Sequence, residues 1–225
     1  MTLAEILTEA RKRLSDTKTP YLWDDTEIYG YLNEAINEVS AKKRLFRDSK
    51  TAAICQIAVL AADASPDYVY DTRITEIVTA KMRSQVIPLR RTNKADMDAW
   101  YPNWRNAPAG TPSWRFLTDF SEGYLTLFPK SSIDDTIDLT VYRLPLVQMS
   151  AASPAPTLEL NFQMHPRLFN GILCRAYLKE DTETLDPEKA AKHLVLWKVD
   201  MDEMARLRIR MQDSGAFLGP NYGAI

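Results

Sequence analysis

The sequence predicts an α+β fold: a helical bundle built from N- and C-terminal helices, with an antiparallel β-rich domain inserted between them. Three observations carry this. Apolar residues recur at helical spacing near both ends of the chain, and two capping boxes open the N-terminal helices. From Thr51 to Leu144 the texture changes to short β-branched runs separated by Pro, Asp and Gly. The boundaries that follow are 1–48 for the N-terminal helices, 49–148 for the inserted β-domain, 149–212 for the C-terminal helices and 213–225 for an extended tail.

Each element has its own signal. In Thr2-Leu-Ala-Glu5 the threonine and glutamate side chains satisfy amide donors at a helix start, and Leu3, Ile6, Leu7, Ala10 and Leu14 follow on one face. Ser15 to Pro20 interrupts that helix. Asp24-Asp-Thr-Glu27 is a second box, and Ile28, Tyr31, Leu32, Ala35, Ile36 and Val39 form the stripe of a second helix ending near Leu45. The runs ICQIAVL, YVYD and ITEIVTAKM read as strands. Asn93 caps a short helical segment in ADMDAW, after which Pro102, Pro108, Gly110 and Pro112 impose an irregular loop.

The stretch SWRFLTDF alternates, with Trp114, Phe116, Thr118 and Phe120 on one side and Arg115, Leu117 and Asp119 on the other. Ser121-Glu-Gly123 turns the chain so that YLTLFP returns antiparallel, and TIDLTVYRL is expected as the third strand of a meander. Pro145 to Pro156 reads as a linker. A helix starts at His165, with Leu168, Ile172, Leu173, Ala176 and Tyr177 recurring. Asp186-Pro187 opens a long helix whose stripe is Ala190, Leu194, Trp197, Met201, Met204 and Met211, and Asp213-Ser-Gly215 ends it. The tail AFLGPNYGAI has apolar residues without periodicity.

Composition narrows the chemistry. The 28 basic and 30 acidic residues nearly cancel, so no overall attraction to nucleic acid or membranes is expected, and no apolar run approaches the roughly 20 residues of a membrane span. The amphipathic N-terminus lacks the layout of a signal peptide, and Cys55 and Cys174 form no metal or CxxC pattern, which together predict a soluble protein made inside the cell. His165 and His193 stand in no recognisable catalytic or zinc setting. The acidic run from Glu180 to Asp186 lacks the mid-loop glycine of a calcium loop, and no glycine cluster forms a phosphate cradle. The expectation is a protein without cofactor, metal site or enzymatic activity. Arg11, Lys12 and Arg13, and Lys42, Lys43 and Arg44, complement helix C-termini. Arg206, Arg208 and Arg210 follow Asp200, Asp202 and Glu203, which weakens any basic stripe.

Two aromatic groups remain. Trp114, Phe116 and Phe120 alternate at the period of a strand and are expected in a core hairpin. Trp100, Tyr101 and Trp104 sit in a proline-rich loop and are the candidate contact surface for a neighbouring subunit or a tail protein.

The order of elements resembles the head-to-tail adaptor (connector) proteins of tailed bacteriophages. The resemblance runs through LWDDTEIYGYLNEAINEV, IPLRR, GTPSWRF, GYLTLFP, DLTVYRLP and LNFQMHPRLFNGILCRAYLKEDTETLDPEKAAKH, and covers nearly the whole chain. It implies a structural protein that assembles as a homo-oligomeric ring, commonly of about twelve copies, beneath the portal protein. The ring would extend the DNA channel, pass genomic DNA without sequence-specific recognition, and offer a surface to the tail or nozzle protein. It also implies a virion location at the head-tail junction after synthesis in the host cytoplasm. In some adaptors the C-terminal segment docks on the portal, which would give Phe217, Leu218 and Tyr222 that contact. The alternative reading is a carbohydrate- or peptide-binding β-module with helical flanks.

Overall fold

The computed structural model describes residues 1–61, 63, 65–104, 107–110, 115–119, 123–151 and 158–213, with 115–119 and 212–213 described through their backbone. In chain order the elements are α1 (Leu3–Leu14), α2 (Asp25–Lys43), β1 (Phe46–Asp48), α3 (Ala52–Cys55), β2 (Gln56–Val59), β3 (Asp67–Val69), β4 (Ile74–Met82) and β5 (Arg90–Thr92). They continue with α4 (Lys94–Trp100), β6 (Arg115–Asp119), β7 (Tyr124–Phe128), β8 (Asp135–Arg143), a 3₁₀ helix (Phe162–Arg167), α5 (Leu168–Ala176) and α6 (Pro187–Asp213). The fold is α+β, with helices at both ends and strands in the middle. Two units divide the chain: Met1–Leu45 with Pro145–Ile225, and Phe46–Leu144.

In the helical unit both capping boxes form. The Glu5 amide donates to Thr2 Oγ1 at 3.2 Å while the Thr2 amide donates to Glu5 Oε2 at 2.8 Å, and Asp24 with Glu27 repeats the exchange at 3.0 and 2.9 Å. Ser15 and Arg44 end α1 and α2 in the left-handed region, at φ 59° and 55°. α5 packs on α1, α2 and α6. Gly171 sits where it meets the last two: a β-carbon there would lie 2.9 Å from Ala35 Cβ and 3.1 Å from the Trp197 ring. Burial of Ile6, Leu32, Val39, Phe169, Ile172, Trp197 and Met204 completes this core.

Three donors from three helices converge on Glu38. Arg175 and Trp197 Nε1 reach its Oε2 at 2.7 and 2.9 Å, and Lys42 reaches its Oε1 at 2.6 Å. Burial pushes this carboxyl up, but the hydrogen bonds from Lys42, Trp197 and Arg175 outweigh it and bring the pKa down to about 2. The segment expected as a linker is partly docked. Met149 exchanges two 2.8 Å hydrogen bonds with the Asn33 side chain on α2, and the Leu146 amide donates to Glu159 at 3.0 Å.

The strand-rich unit holds two sheets. In the first, β8 is the spine: β4 pairs along one edge, while β2 and β1 pair successively along the other, all antiparallel. Ile137, Leu139, Val141 and Arg143 on β8 are buried at alternate positions. The second sheet has the order β3-β7-β6-β5, and its β5–β6 pair is parallel.

Three sequence readings are corrected here. The expected meander does not form, because β8 leaves the β6–β7 hairpin and joins the other sheet; alternation marks a strand but does not choose its partner. The run ICQIAVL is a strand only from Gln56 to Val59 (β2); Ile54 and Cys55 belong to the helical turn α3, because their amides donate to the Thr51 carbonyl at 3.0 and 2.8 Å. Leu194 is not on the buried stripe of α6: it is 43% exposed, and half-buried His193 faces the core three residues after Ala190. In the hairpin the register sets Phe116 opposite Leu127 and Thr118 opposite Leu125, and both leucines are buried. Trp114, Phe120 and the side chain of Phe116 lie outside the described residues.

Candidate functional site

Asn93 starts the segment that forms the aromatic surface. Its Oδ1 accepts from the Asp96 amide at 2.7 Å and opens α4, whose apolar side buries Met97 and whose far end delivers Trp100 and Tyr101. Pro102 cannot continue the helix, and a turn closed by the Trp104 amide on the Tyr101 carbonyl at 2.8 Å brings Trp104 alongside.

The three predicted aromatics thus meet at one place, joined by a residue the sequence reading left in the hairpin. Phe128, the last residue of β7, has its ring 5.7 Å from that of Tyr101 and 6.2 Å, edge to face, from that of Trp104. Trp104 Nε1 donates to Asp98 Oδ1 at 2.8 Å, which fixes the indole plane. Together with Trp100, Pro102 and Pro108 these rings line an open groove of about 430 Å³. Trp100 is 65% exposed. An exposed indole beside proline rings makes an apolar contact surface with little side-chain entropy to lose on binding.

Two further apolar surfaces were missed in the sequence. The loop between β4 and β5 carries Val86 at 90% and Ile87 at 66% exposure. On α6, Val195, Leu196 and Val199 are exposed on a face turned away from Trp197, whereas exposed Leu194, three residues before Trp197, lies on the flank nearer to it. A single deviation from helical spacing was the only available signal for that band, because its residues are as apolar as those of the buried stripe.

The remaining polar candidates serve structure. His165 is buried; its Nε2–H donates to the Leu160 carbonyl at 2.8 Å and Nδ1 accepts from the Met1 ammonium at 3.1 Å, a tautomer set by a carbonyl that only accepts and an ammonium that only donates. Burial lowers its pKa, and the Met1 charge adds to this. His193 bonds Asn170 Oδ1 at 2.9 Å through Nδ1 and stacks on Tyr177; burial, then the charges of Lys192 and Arg13, lower its pKa too. Cys55 and Cys174 are buried, and burial pushes the Cys55 thiol up to about 11, away from nucleophilic character. Among the described residues no group of three His, Cys, Asp or Glu side chains is placed to hold a metal, and no helix is long and apolar enough to cross a membrane.

At the C-terminal half of α6, Arg167, Arg206 and Arg210 gather with Glu203, and Arg167 pairs with both Glu203 and Asp200. Arg208 donates to the Arg44 carbonyl at 2.8 Å, so this basic cluster is tied into the unit. Phe217, Leu218 and Tyr222 lie outside the described residues.

Among the described residues, exposed apolar side chains include those on α6, in the loop between β4 and β5, and along the aromatic groove. None of the curated proteins matches the sequence. The family model of the SU10 adaptor protein matches residues 1–221, and the chain belongs to that family of phage head-to-tail adaptors.

Proposed function

We propose that copies of this chain assemble as a ring of about twelve beneath the portal, extend the DNA channel and present the attachment surface for the tail. The family carries the adaptor role itself, which makes the protein a structural component of the virion that meets portal and tail proteins. The observation that supports assembly is the exposed aliphatic band of Val195, Leu196 and Val199 on α6, a surface that a lone copy leaves in water. A long helix is suited to a repeated contact, because every copy in a ring uses the same seam and many modest contacts add up.

DNA passes through the lumen in this reading without sequence-specific contacts. The near-neutral charge of the chain suits that role, since a strongly basic wall would hold the phosphates of a moving duplex. The tail segment 213–225 docks on the portal through Phe217, Leu218 and Tyr222.

Mass measurement of the isolated chain, with and without purified portal, tests the reading. A ring-sized species on the portal is the expected result; no association under any condition would overturn it. A chain ending at Asp213 is expected to keep its fold and lose affinity for the portal. The carbohydrate-binding alternative draws on the exposed Trp100 ring. It predicts a glycan-dependent change in tryptophan fluorescence, and none is expected.

A further inference from the structure

The outer face of α6 carries a single seam. Glu188, Lys192, Val195, Val199, Asp202 and Arg206 follow one another at alternating four- and three-residue steps, so they share the side of the helix opposite Trp197. All six are exposed, Val195 at 63% and Val199 at 52%, while Trp197 is buried. Its Nε1 donates to Glu38 at 2.9 Å, which fixes the direction in which α6 presents this seam.

The seam is complementary to itself. Counted from Trp197, Val195 and Val199 lie two residues to either side, Lys192 and Asp202 five, and Glu188 and Arg206 nine. Two copies of the helix laid antiparallel about that midpoint set Val195 against Val199, Lys192 against Asp202 and Glu188 against Arg206, and the twofold axis makes each pair twice. A parallel pair would set each residue against itself, placing like charges together at Glu188, Lys192, Asp202 and Arg206. Sliding the antiparallel pair by one heptad would set Val195 against Arg206. Charge and apolar contact therefore agree on one direction and one register.

The charges of the seam can serve a partner. Among the described residues Glu188, Lys192 and Arg206 form no ion pair. Asp202 holds Lys43 of its own chain at 2.6 Å and is still 59% exposed, so its carboxylate has room for a second ammonium.

We infer that, away from the portal, two copies of this chain pair through an antiparallel contact of their α6 helices centred on Trp197. A twofold contact closes at two copies. The dimer itself does not depend on the ring reading, but it covers the band which that reading gives to neighbouring subunits, so the two helices part before a ring forms.

Sedimentation equilibrium of the full chain without portal tests the pair, and reversible dimerisation is the expected result. Glu188→Arg opposes cations at both ends of the seam and is expected to weaken the dimer by about tenfold or more. Glu188→Arg combined with Arg206→Glu is expected to restore it. A chain that stays monomeric, a single reversal without effect, or a double reversal that fails to rescue would each overturn the contact. Cysteines read the direction, because both native thiols are buried. Under a mild thiol oxidant, a mixture of Val195→Cys and Val199→Cys chains is expected to cross-link one of each, with circular dichroism unchanged. Linkage of like variants instead, or no linkage, would overturn the register. A dimer that never yields a ring on the portal would remove the ring reading and leave the pair standing.

Discussion

The helical and strand-rich units each hold a carboxylate in a hydrogen-bond network, half-buried Glu38 in one and buried Asp48 in the other, and they stabilise it by different means. In the helical unit Glu38 receives Lys42 from its own helix, Arg175 from α5 and Trp197 from α6, so its donors arrive only when three helices are packed. In the strand-rich unit Asp48 is served mostly by neighbours in sequence. The Lys50 and Thr51 amides and the Thr51 hydroxyl donate to it within three residues, and one distant group, Arg143 at 2.7 Å, completes the set. Burial raises the Asp48 pKa, but the bonds from Thr51, Lys50 and Arg143 hold it well below the usual carboxylate range. The lesson is that a network drawn from several elements reports on packing, while a local one needs a single long-range partner and depends heavily on it.

That contrast is broken most strongly at the long-range partner. Arg143→Met leaves the Asp48 charge buried without its counter-ion and should cost about 3–5 kcal/mol, read as a shift of the urea midpoint. In the helical unit the matching experiment is steric. Gly171→Ala brings a methyl against Ala35 and Trp197, and is expected to cost about 1–3 kcal/mol despite the better helix propensity of alanine. A stability equal to that of the unaltered chain would show that α5 has room to move away from α2 and α6.

Acid sharpens the comparison next. Because the Glu38 pKa is about 2 in the folded chain, against 4.5 for an ordinary glutamate, its contribution is fully present above about pH 4.5 and is lost as pH falls toward 2. Glu38→Gln should flatten the fall in stability across that window, by an amount on the order of 2 kcal/mol, as measured by urea unfolding at stepped pH. The smallest effect on stability belongs to Val195→Asp on α6, expected within about 0.5 kcal/mol. The same substitution should abolish ring formation on the portal if the aliphatic band is a seam between subunits. Normal assembly of this variant would remove α6 from the interface.

Elements governed by neighbours in sequence were the legible ones. The caps at Thr2, Asp24 and Asn93 need only residues within one turn, and all three form. Pairing was not legible: TIDLTVYRL shows alternation, yet its three strand partners lie as far away as Phe46. The outer face of α6 was hidden for a related reason. Val195 and Val199 differ from core residues only in where the helix turns them, and choosing Leu194 over His193 for the stripe erased the signal. Of the candidate contact residues, Trp100, Tyr101 and Trp104 were found by their position in a proline-rich loop, whereas Val86 and Ile87, two aliphatic residues after a strand, carried no comparable signal.

The arrangement around β8 carries a consequence for synthesis. Among the described residues β1, β2 and β4 do not pair with one another in a ladder; each pairs with β8. While the ribosome is still short of Asp135, those three strands have emerged with no common edge to join. The helical unit waits longer, since α1 and α2 receive their packing partner α5 only after Leu168. The nascent chain therefore holds three strands without their shared partner, and two N-terminal helices with only each other to pack on, until late in synthesis, which leaves strand edges open to mispairing over that interval.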